Sequence, residues 1–312
     1  MTGEDRLVGR WLRGLEAGGD VLVGPGDDCA VVRTTRGPGL LKTDCVVEDV
    51  HFLRSQDPAR VGWKALCRPL SDIAAMGGVP GQALVTVISP PDLDPAYWQA
   101  FYRGIRKAAR RFGVAIAGGE TSRQPQGIAV SVALTGSMDG VKPVLRSGGQ
   151  AGDRLFVTGR LGGSAAGHHL DFLPRLAEGR WLAGSAGASA MMDLSDGLGS
   201  DLPRLARASG CGFRVDLAQL PLRPGVTAHQ ALTDGEDYEL LFALPSRKAA
   251  LLAGWPFPNT PLTWIGELSP PGEVPDSWPG GWDHFSVVRT GAVGQLAGIP
   301  AAVPRRRKRR PA

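Results

Sequence analysis

Apolar residues recur at helical spacing in several parts of the chain. The clearest case is residues 94–112, where apolar positions three and four apart lie opposite a basic face. A second stripe, of leucine and alanine, covers residues 198–208. Helices are also predicted around residues 164–172 and over residues 70–76 or longer, with Pro69 in the first turn of the latter. These patterns predict helices in both halves of the chain.

Between the helical segments lie short runs rich in leucine and β-branched residues, which are typical of strands. The strand predictions cover residues 29–33, 40–44, 82–89, 114–117, 127–135, 154–158, 213–217, 238–244 and 262–267. The alternation predicts an α/β protein. A glycine-rich segment, residues 146–153, lies near the midpoint. We therefore expect an N-terminal domain over residues 1–148, a C-terminal domain over residues 149–300 and a disordered basic tail at residues 301–312.

Length and composition are those of a globular protein with a sizeable core. The 312 residues are 43% hydrophobic and 21% charged, which is enough for about two domains of ~150 residues. No apolar run approaches the roughly 18 residues of a membrane helix, and the acidic start lacks an apolar signal region. The four cysteines lack the spacing of zinc ligands or of a disulfide scaffold. We expect a cytoplasmic protein without membrane contact.

The positive charge of the chain is concentrated at its C-terminal end. The formal net charge is +5, and residues 305–310 contribute six positive charges, so the rest of the chain is close to neutral. A block of like charge between Pro304 and Pro311 is typical of a disordered tail that binds polyanions weakly and without specificity. A dedicated nucleic-acid function is therefore not expected.

Acidic residues stand in small, glycine-rich contexts near the ends of predicted strands. Carboxylates on loops after strands can hold hard cations such as Mg²⁺ and leave positions open for phosphate oxygens. Each segment alone is more typical of a turn, and Ser71, Ser195 and Asp196 are also suited to cap helices. Their recurrence favours a polyphosphate site. The six segments are GPGDDCA (24–30), KTDCVVEDVHF (42–52), SDIAAMGG (71–78), GGETSR (118–123), MDLSDGLGSD (192–201) and DGEDYEL (234–240).

The common nucleotide-binding signatures do not occur in the sequence. There is no GxxxxGK[ST] motif, no kinase HRD or DFG set, and no GxGxxG after a predicted strand. A nucleophile elbow is also missing from the sequence. Any phosphate chemistry must therefore use a different scaffold.

The order of the motifs resembles that of bacterial thiamine-monophosphate kinases, of the AIR-synthase-like (PurM-like) superfamily. The resemblance covers about residues 24–285 and implies a two-domain PurM-like fold. Its N-terminal domain would form a β-barrel with that of a second copy in a homodimer, and its C-terminal domain would be α/β. ATP would bind in a cleft between the domains that the partner subunit helps to line. The motifs are GDDCA, TDCVVEDVHF, GWKAL, LSDIAAMG, GGETSR, LRSGGQAGD, LFVTG, GGSAAG, SAMMDLSDGL, GEDYELLF and WDHF.

The resemblance also implies site residues, with ATP as co-substrate and several Mg²⁺ ions as cofactors. Of the metal positions, Asp28, Asp44, Asp72 and Asp196 are the expected catalytic residues. An aromatic ring at the position of Trp282 suits the cationic thiazolium of thiamine independently of the resemblance. The metal positions match Asp28, Thr43, Asp44, Asp72, Glu120, Asp193 and Asp196, the nucleotide positions Gly119, Glu120, Arg146 and Ser195, and the thiamine-phosphate positions His51, Glu236 and Trp282.

The implied reaction transfers the γ-phosphoryl group of ATP to thiamine monophosphate, giving thiamine diphosphate and ADP in the last step of thiamine diphosphate biosynthesis. Four pairs of unit charges near 4 Å would cost on the order of 16 kcal/mol at an effective dielectric of 20. Bound Mg²⁺ ions would offset this repulsion. The acceptor oxygen is already ionised near neutral pH, so we expect direct in-line transfer, with His51 positioning the acceptor.

The sequence departs from the family pattern at several positions. Lys42 stands where the family usually has serine, Pro69 where it has asparagine, and Glu120 where it has aspartate. Two alternatives therefore stay open. One is another PurM-like ATPase that forms an acyl or imidoyl phosphate, similar to AIR synthase or to hydrogenase-maturation enzymes. The other is an inactive nucleotide-binding homologue, which would bind ATP without turnover.

Overall fold

The computed structural model describes residues 20–23, 26–34 and 37–283. The predicted basic tail, residues 301–312, and the acidic start of the chain lie outside the described residues. The described strands form two sheets. One sheet ends at Ser137 and the other begins at Arg154.

The N-terminal sheet contains six strands: β1 (Val21–Val23), β2 (Ala30–Thr34), β3 (Gly37–Val47), β4 (Val79–Ser89), β5 (Ala115–Arg123) and β6 (Ala129–Ser137). Their order is β1-β2-β3-β6-β4-β5, and only the β4–β5 pair is parallel. Alternate residues of the central strands are buried, among them Val85 and Val87 of β4 and Val130 and Val132 of β6. This alternation is typical of a sheet that is covered on one face.

Two long helices, α1 (Pro58–Ala75) and α2 (Pro95–Phe112), belong to this half of the chain. Helix α1 packs against β3 and β6, and α2 packs on α1. The helices approach closely where glycines face each other. A Cβ atom at Gly62 would lie 2.0 Å from the carbonyl oxygen of Phe101, and one at Gly104 would lie 1.8 Å from that of Ala59. Larger residues at these crossing points would force the helices apart.

Helix α2 has the predicted bounds, but the predicted start of α1 is wrong. The helix begins at Pro58 and contains Pro69 in its interior, whereas the prediction placed Pro69 in the first turn. The start signal is Asp57 followed by Pro58, since the Asp57 side chain accepts a hydrogen bond from Ala59 N and proline suits the first helical position. Ser71 is therefore inside the helix and does not cap it.

The C-terminal sheet contains five strands: β7 (Arg154–Thr158), β8 (Ala190–Asp193), β9 (Gly212–Val215), β10 (Leu240–Leu244) and β11 (Leu262–Ser269). All pairs are antiparallel, in the order β8-β10-β7-β11-β9. This half of the chain also contains the helices α3 (Leu176–Trp181), α4 (Leu198–Ala208) and α5 (Ala228–Thr233). None of the helices in the described part of the chain combines the length and apolar character that crossing a membrane requires.

Some elements of this half differ from the sequence predictions. The helix predicted around residues 164–172 is two short 3₁₀ turns, Ser164–Ala166 and His168–Leu170. They are separated by Gly167, which has a φ of 116° and cannot continue a helix. Strands β1 and β8 and helices α3 and α5 are too short to give a periodic signal, and they were not predicted.

Helix α1 connects the two halves. On one side its Leu66, Leu70 and Ile73 join the core of the N-terminal sheet. On the other side Ala74 and Ala75 pack with Phe156, Leu240 and Phe242 of the C-terminal sheet. The C-terminal turns of α1 therefore lie where side chains from both sheets can meet.

Candidate active site

Three buried carboxylates from separate elements meet at the C-terminal half of α1. Asp28 precedes β2, Asp72 lies in α1, and Asp193 is the last residue of β8. Their side-chain oxygens lie within 4.8 Å of one another, and the residues are 2%, 6% and 3% exposed. We call these three residues the carboxylate cluster. The family resemblance implies metal ligation for all three.

Each carboxylate of the cluster has a donor from the protein. Arg146 donates from Nε to Asp28 Oδ2 at 3.1 Å and from Nη2 to Asp28 Oδ1 at 2.9 Å. Lys42 Nζ lies 2.7 Å from Asp72 Oδ1, and Ser71 Oγ donates to Asp193 Oδ2 at 2.6 Å. Ser71 therefore orients a carboxylate from the other half of the chain, which its predicted capping role did not anticipate.

Burial and mutual repulsion make the cluster costly to charge. Burial and the neighbouring carboxylates raise the pKa of Asp72 and of Asp193, although Lys42 opposes the shift at Asp72. Carboxylate oxygens are ligands that Mg²⁺ prefers, and one from each of three residues lies within 4.8 Å of the others here. The cluster therefore fits the divalent cation that the sequence predicts.

Lys42 remains charged in this setting. Burial alone would lower its pKa, but the carboxylates of Asp72 and Asp44 raise the pKa well above the usual range for lysine. Asp44, two residues further along β3, pairs with Arg68 of α1 at 3.1 Å. Lys42 and Asp44 thus face α1 from the same side of the strand.

Two predicted metal ligands lie elsewhere on the N-terminal sheet. Thr43 projects from the opposite face of β3, with its Oγ1 3.3 Å from Ser131 Oγ. Glu120 and the neighbouring Gly119 lie in β5, an edge strand of the sheet in which all nine residues are exposed. The carboxylate of Glu120 accepts a hydrogen bond from Thr121 N at 2.8 Å. The structure does not bring Thr43 or Glu120 into the carboxylate cluster.

The expectation that the carboxylates stand on loops is wrong at Glu120, which follows the strand predicted over residues 114–117 but lies inside β5. Asp44 and Asp72 lie in a strand and in a helix, as predicted over residues 40–44 and 70–76. The two glycines before Glu120 are typical of a turn, but in the fold they allow close packing: a Cβ at Gly119 would lie 1.9 Å from Val85 O. Ser195 and Asp196 also do not cap α4, since its N-cap is Gly197 without a side-chain hydrogen bond.

Next to the cluster is a cavity that gathers five of the predicted site residues. It has about 550 Å³ of space free of protein atoms, counting the part open to solvent. Its lining includes residues from the β3–α1 connection, α1, the start of α4, the segment before β10 and the end of the described chain. We call it the Trp282 cavity, after the ring that lines it. The lining residues used below are His51, Arg68, Ser195, Asp196, Glu236 and Trp282.

Backbone contacts set the positions of several cavity residues. The Trp282 backbone N–H donates to the carbonyl of Asp196 at 2.9 Å, which holds the last described segment against the start of α4. Glu236 has a φ of 53°, uncommon for a residue with a side chain, and its N–H donates to the carbonyl of Ser195 at 2.7 Å. His51 Nδ1 accepts from Val47 N at 3.1 Å. Residues far apart in the sequence are thereby fixed around one space.

A fully buried lysine lies beneath this cavity. Lys64 Nζ is 2.6 Å from Glu236 Oε1, 2.5 Å from the carbonyl oxygen of His51 and 2.8 Å from His169 Nδ1. Burial lowers the pKa of Lys64 to about 8. Burial alone would raise the pKa of Glu236, but Lys64 and His169 stabilise its charge and hold the pKa below the usual range.

Sequence reasoning did not select Lys64 as a site residue. It occurs in GWKAL, one of the motifs that carry the family resemblance, among residues that are all buried in α1. A lysine inside an apolar helical segment was the available signal, because lysine is rarely buried without a partner. Arg68, one helical turn further on, was missed in the same way.

Comparison with known proteins gives two matching family models. Residues 26–138 match the AIR synthase related protein, N-terminal domain, and residues 167–268 match the AIR synthase related protein, C-terminal domain. The chain is 33% identical to thiamine-monophosphate kinase of Escherichia coli K12, over 91% of this chain and 98% of that protein. It is 36% identical to thiamine-monophosphate kinase of Mycobacterium tuberculosis H37Rv, over 91% and 92%.

Solved structures of similar proteins have the same fold. One, described as AaThiL complexed with AMPPCP and TMP, has a TM-score of 0.80 and 33% identity, over 91% of this chain and 97% of that one. Thiamine monophosphate kinase from Aquifex aeolicus has a TM-score of 0.73 and 31% identity, over 90% and 100%. Escherichia coli HypE, a hydrogenase maturation protein, has a TM-score of 0.63 at 23% identity over 76% of this chain and 81% of that one, a likeness of fold alone.

Proposed function

The chain belongs to the thiamine-monophosphate kinases of the AIR synthase related family, and we propose that it transfers the γ-phosphoryl group of ATP to thiamine monophosphate. The products are thiamine diphosphate and ADP. The alternatives of an acyl-phosphate-forming ATPase and of an inactive homologue are not favoured, because the similarity to thiamine-monophosphate kinases spans both halves of the chain.

The observation that carries the proposal is the position of the Trp282 cavity beside the carboxylate cluster. Arg68 lines the cavity, and Asp72, one helical turn along α1, belongs to the cluster. Asp193 belongs to the cluster, and Ser195, two residues further on, lines the cavity. An acceptor in the cavity therefore has its reacting end within reach of the carboxylates.

The cavity residues suit the chemistry of thiamine monophosphate. The ring of Trp282 can stack on the flat pyrimidine or the cationic thiazolium, and the carboxylate of Glu236 adds negative charge for that cation. Arg68 supplies a permanent positive charge for the phosphate of the acceptor. His51 lies at the same surface and positions the acceptor.

Mg²⁺ would be held by Asp28, Asp72 and Asp193, and when bound it supplies positive charge that lowers the repulsion between donor and acceptor phosphates. Arg146 fixes Asp28, and Ser71 fixes Asp193, so the carboxylates are oriented before substrates bind. The acceptor phosphate is ionised near neutral pH, so no residue needs to remove a proton before in-line attack.

The subunit arrangement that we propose is a homodimer formed through the N-terminal sheet. Strand β5 is an edge strand with all nine residues exposed. Leu84 and Leu41 lie on the open face of the sheet and are 50% and 46% exposed. Their strands flank β6, where Ala133 pairs with Thr43 of β3 on one side and with Leu84 of β4 on the other. A partner sheet would cover these exposed leucines and close a barrel.

In such a dimer, Gly119 and Glu120 of β5 would contribute to nucleotide binding next to the partner subunit. Arg146 and Ser195 would serve the nucleotide on the side of the carboxylate cluster, and Asp196 and Asp44 would extend the metal site. We also propose a cytoplasmic location, because all four cysteines are unpaired.

The test of the function is a quenched reaction of the purified protein with ATP, Mg²⁺ and either thiamine monophosphate or thiamine. We expect thiamine diphosphate, measured by chromatography, from the monophosphate only. Equal amounts of product from free thiamine would contradict phosphoryl transfer to a phosphate. ATP binding without product would favour the inactive homologue.

The dimer gives a second prediction. Leu84→Glu is expected to weaken the dimer at least thirtyfold, because a charge would be buried in the apolar interface. Sedimentation equilibrium over a range of protein concentrations measures this change. Leu251→Glu is a matched control, since Leu251 is 49% exposed and lies in the other half of the chain. If the two variants have the same dissociation constant as the unmodified protein, the dimer does not use this sheet.

A further inference from the structure

We propose that Lys42 is a built-in cation of the carboxylate cluster, supplying one positive charge that a divalent ion would otherwise supply. The cluster of this chain then binds fewer divalent ions, or binds them less tightly, than it would with a neutral residue at position 42. The inference rests on the proposed metal-binding function of Asp28, Asp72 and Asp193.

The fold directs Lys42 at the cluster. Along β3, Leu40, Lys42 and Asp44 alternate with residues of the open face and therefore project toward α1. The Lys42 side chain is 23% exposed, that of Asp72 is 8% exposed, and the ammonium lies 2.7 Å from Asp72 Oδ1. A charge-assisted hydrogen bond of this length between largely buried groups is stronger than an ion pair at the surface.

The contact between Lys42 and Asp72 changes the net charge of the cluster. Three carboxylates would carry three negative charges, and Arg146 already meets Asp28 with two hydrogen bonds. Lys42 meets Asp72, and Asp193 has a neutral donor, Ser71. With both cations in place, only one negative charge is left for metal ions.

The same contact also affects the ligand atoms. Mg²⁺ requires near-ideal geometry and direct access to carboxylate oxygens. The ammonium of Lys42 uses Asp72 Oδ1, so a divalent ion must either share Asp72 through its other oxygen or displace the ammonium. Both alternatives lower the affinity for the ion. Lys42 thus acts on the metal through Asp72 and is a positioning residue.

The experiment counts ions on the protein without nucleotide. Mn²⁺ alone is titrated into the full-length protein, and free Mn²⁺ is measured by electron paramagnetic resonance. Two variants, Lys42→Ser and Lys42→Met, remove the charge, and Lys42→Arg keeps it. Thermal unfolding by circular dichroism shows which variants are folded. Either neutral variant alone suffices if the other does not fold.

We expect the neutral variants to bind one additional Mn²⁺ ion per chain or to bind Mn²⁺ at least tenfold more tightly than the unmodified protein. Lys42→Arg should stay close to the unmodified protein. Identical stoichiometry and affinity in the unmodified protein and a folded neutral variant would overturn the inference. Thiamine diphosphate production by the unmodified protein is assayed separately. If it forms product but the neutral variants bind Mn²⁺ as it does, only the role of Lys42 is rejected. If the neutral variants bind Mn²⁺ differently but the unmodified protein forms no product, only the proposed function is rejected.

Discussion

Asp72→Asn is expected to lower kcat by about a thousandfold while the protein stays folded. The substitution keeps the shape of the side chain but removes one charge from the carboxylate cluster, where Asp72 lies within 4.8 Å of Asp28 and Asp193. One unit charge at about 4 Å and an effective dielectric of 20 contributes about 4 kcal/mol, which corresponds to roughly a thousandfold in rate. The measurement is kcat for thiamine diphosphate formation at saturating ATP and acceptor, over a range of Mg²⁺ concentrations.

The control for this variant is Asp153→Asn. Asp153 and Asp72 are both 6% exposed, but Asp153 accepts hydrogen bonds from Gln150 N and Ser189 Oγ in the C-terminal half. Its replacement should lower stability with little effect on kcat of the folded protein. Near-normal turnover of Asp72→Asn at saturating Mg²⁺ would show that the cluster is not the metal site of the reaction.

Much of the secondary structure could be predicted from periodicity, and the failures have physical causes. Helix α2 is amphipathic over five turns, so its pattern defines both ends. Helix α1 is buried along most of its length, and its polar residues Lys64, Arg68 and Asp72, one turn apart, face the site and not solvent, so no long exposed face marks its period. Its start could have been found from Asp57 and Pro58, a cap followed by proline. Strand β8 has only four residues, and all of them are buried. So short a segment, without alternation of apolar and polar residues, cannot be distinguished from a loop by its sequence.

The site was predicted as a set of residues, not as an arrangement. Resemblance selected His51, Ser195, Asp196, Glu236 and Trp282, and the fold gathers all five at one cavity. Nothing in the local sequence shows that the segment containing Trp282 returns to the start of α4, because that contact is a backbone hydrogen bond to Asp196. Thr43 and Glu120 show the converse, since strand geometry places them away from the cluster.

Lys64→Met is expected to destabilise the protein by about 2–4 kcal/mol and to raise KM for thiamine monophosphate at least tenfold. Lys64 is fully buried and meets Glu236, His51 and His169, so its loss leaves the carboxylate of Glu236 without its main partner. This loss of stability is at the low end for breaking a buried ion pair, because the Glu236 side chain is 26% exposed at the cavity and solvent screens its charge. Urea unfolding measures the stability, and steady-state kinetics measures KM.

The double variant Lys64→Met with Glu236→Gln separates the effect of charge from the effect of packing. If the unpaired carboxylate causes the instability, removing it should restore more than half of the lost stability. KM should remain high, because Glu236 is proposed to face the thiazolium cation. Lys107→Met is the control: Lys107 is an exposed residue of α2 whose ammonium lies 5.3 Å from the centroid of the Trp63 ring, and its loss should cost less than about 1 kcal/mol. If the stability lost by the double variant equals the sum of the losses of Lys64→Met and Glu236→Gln, the two residues act independently. Lys64 would then not position the acceptor site.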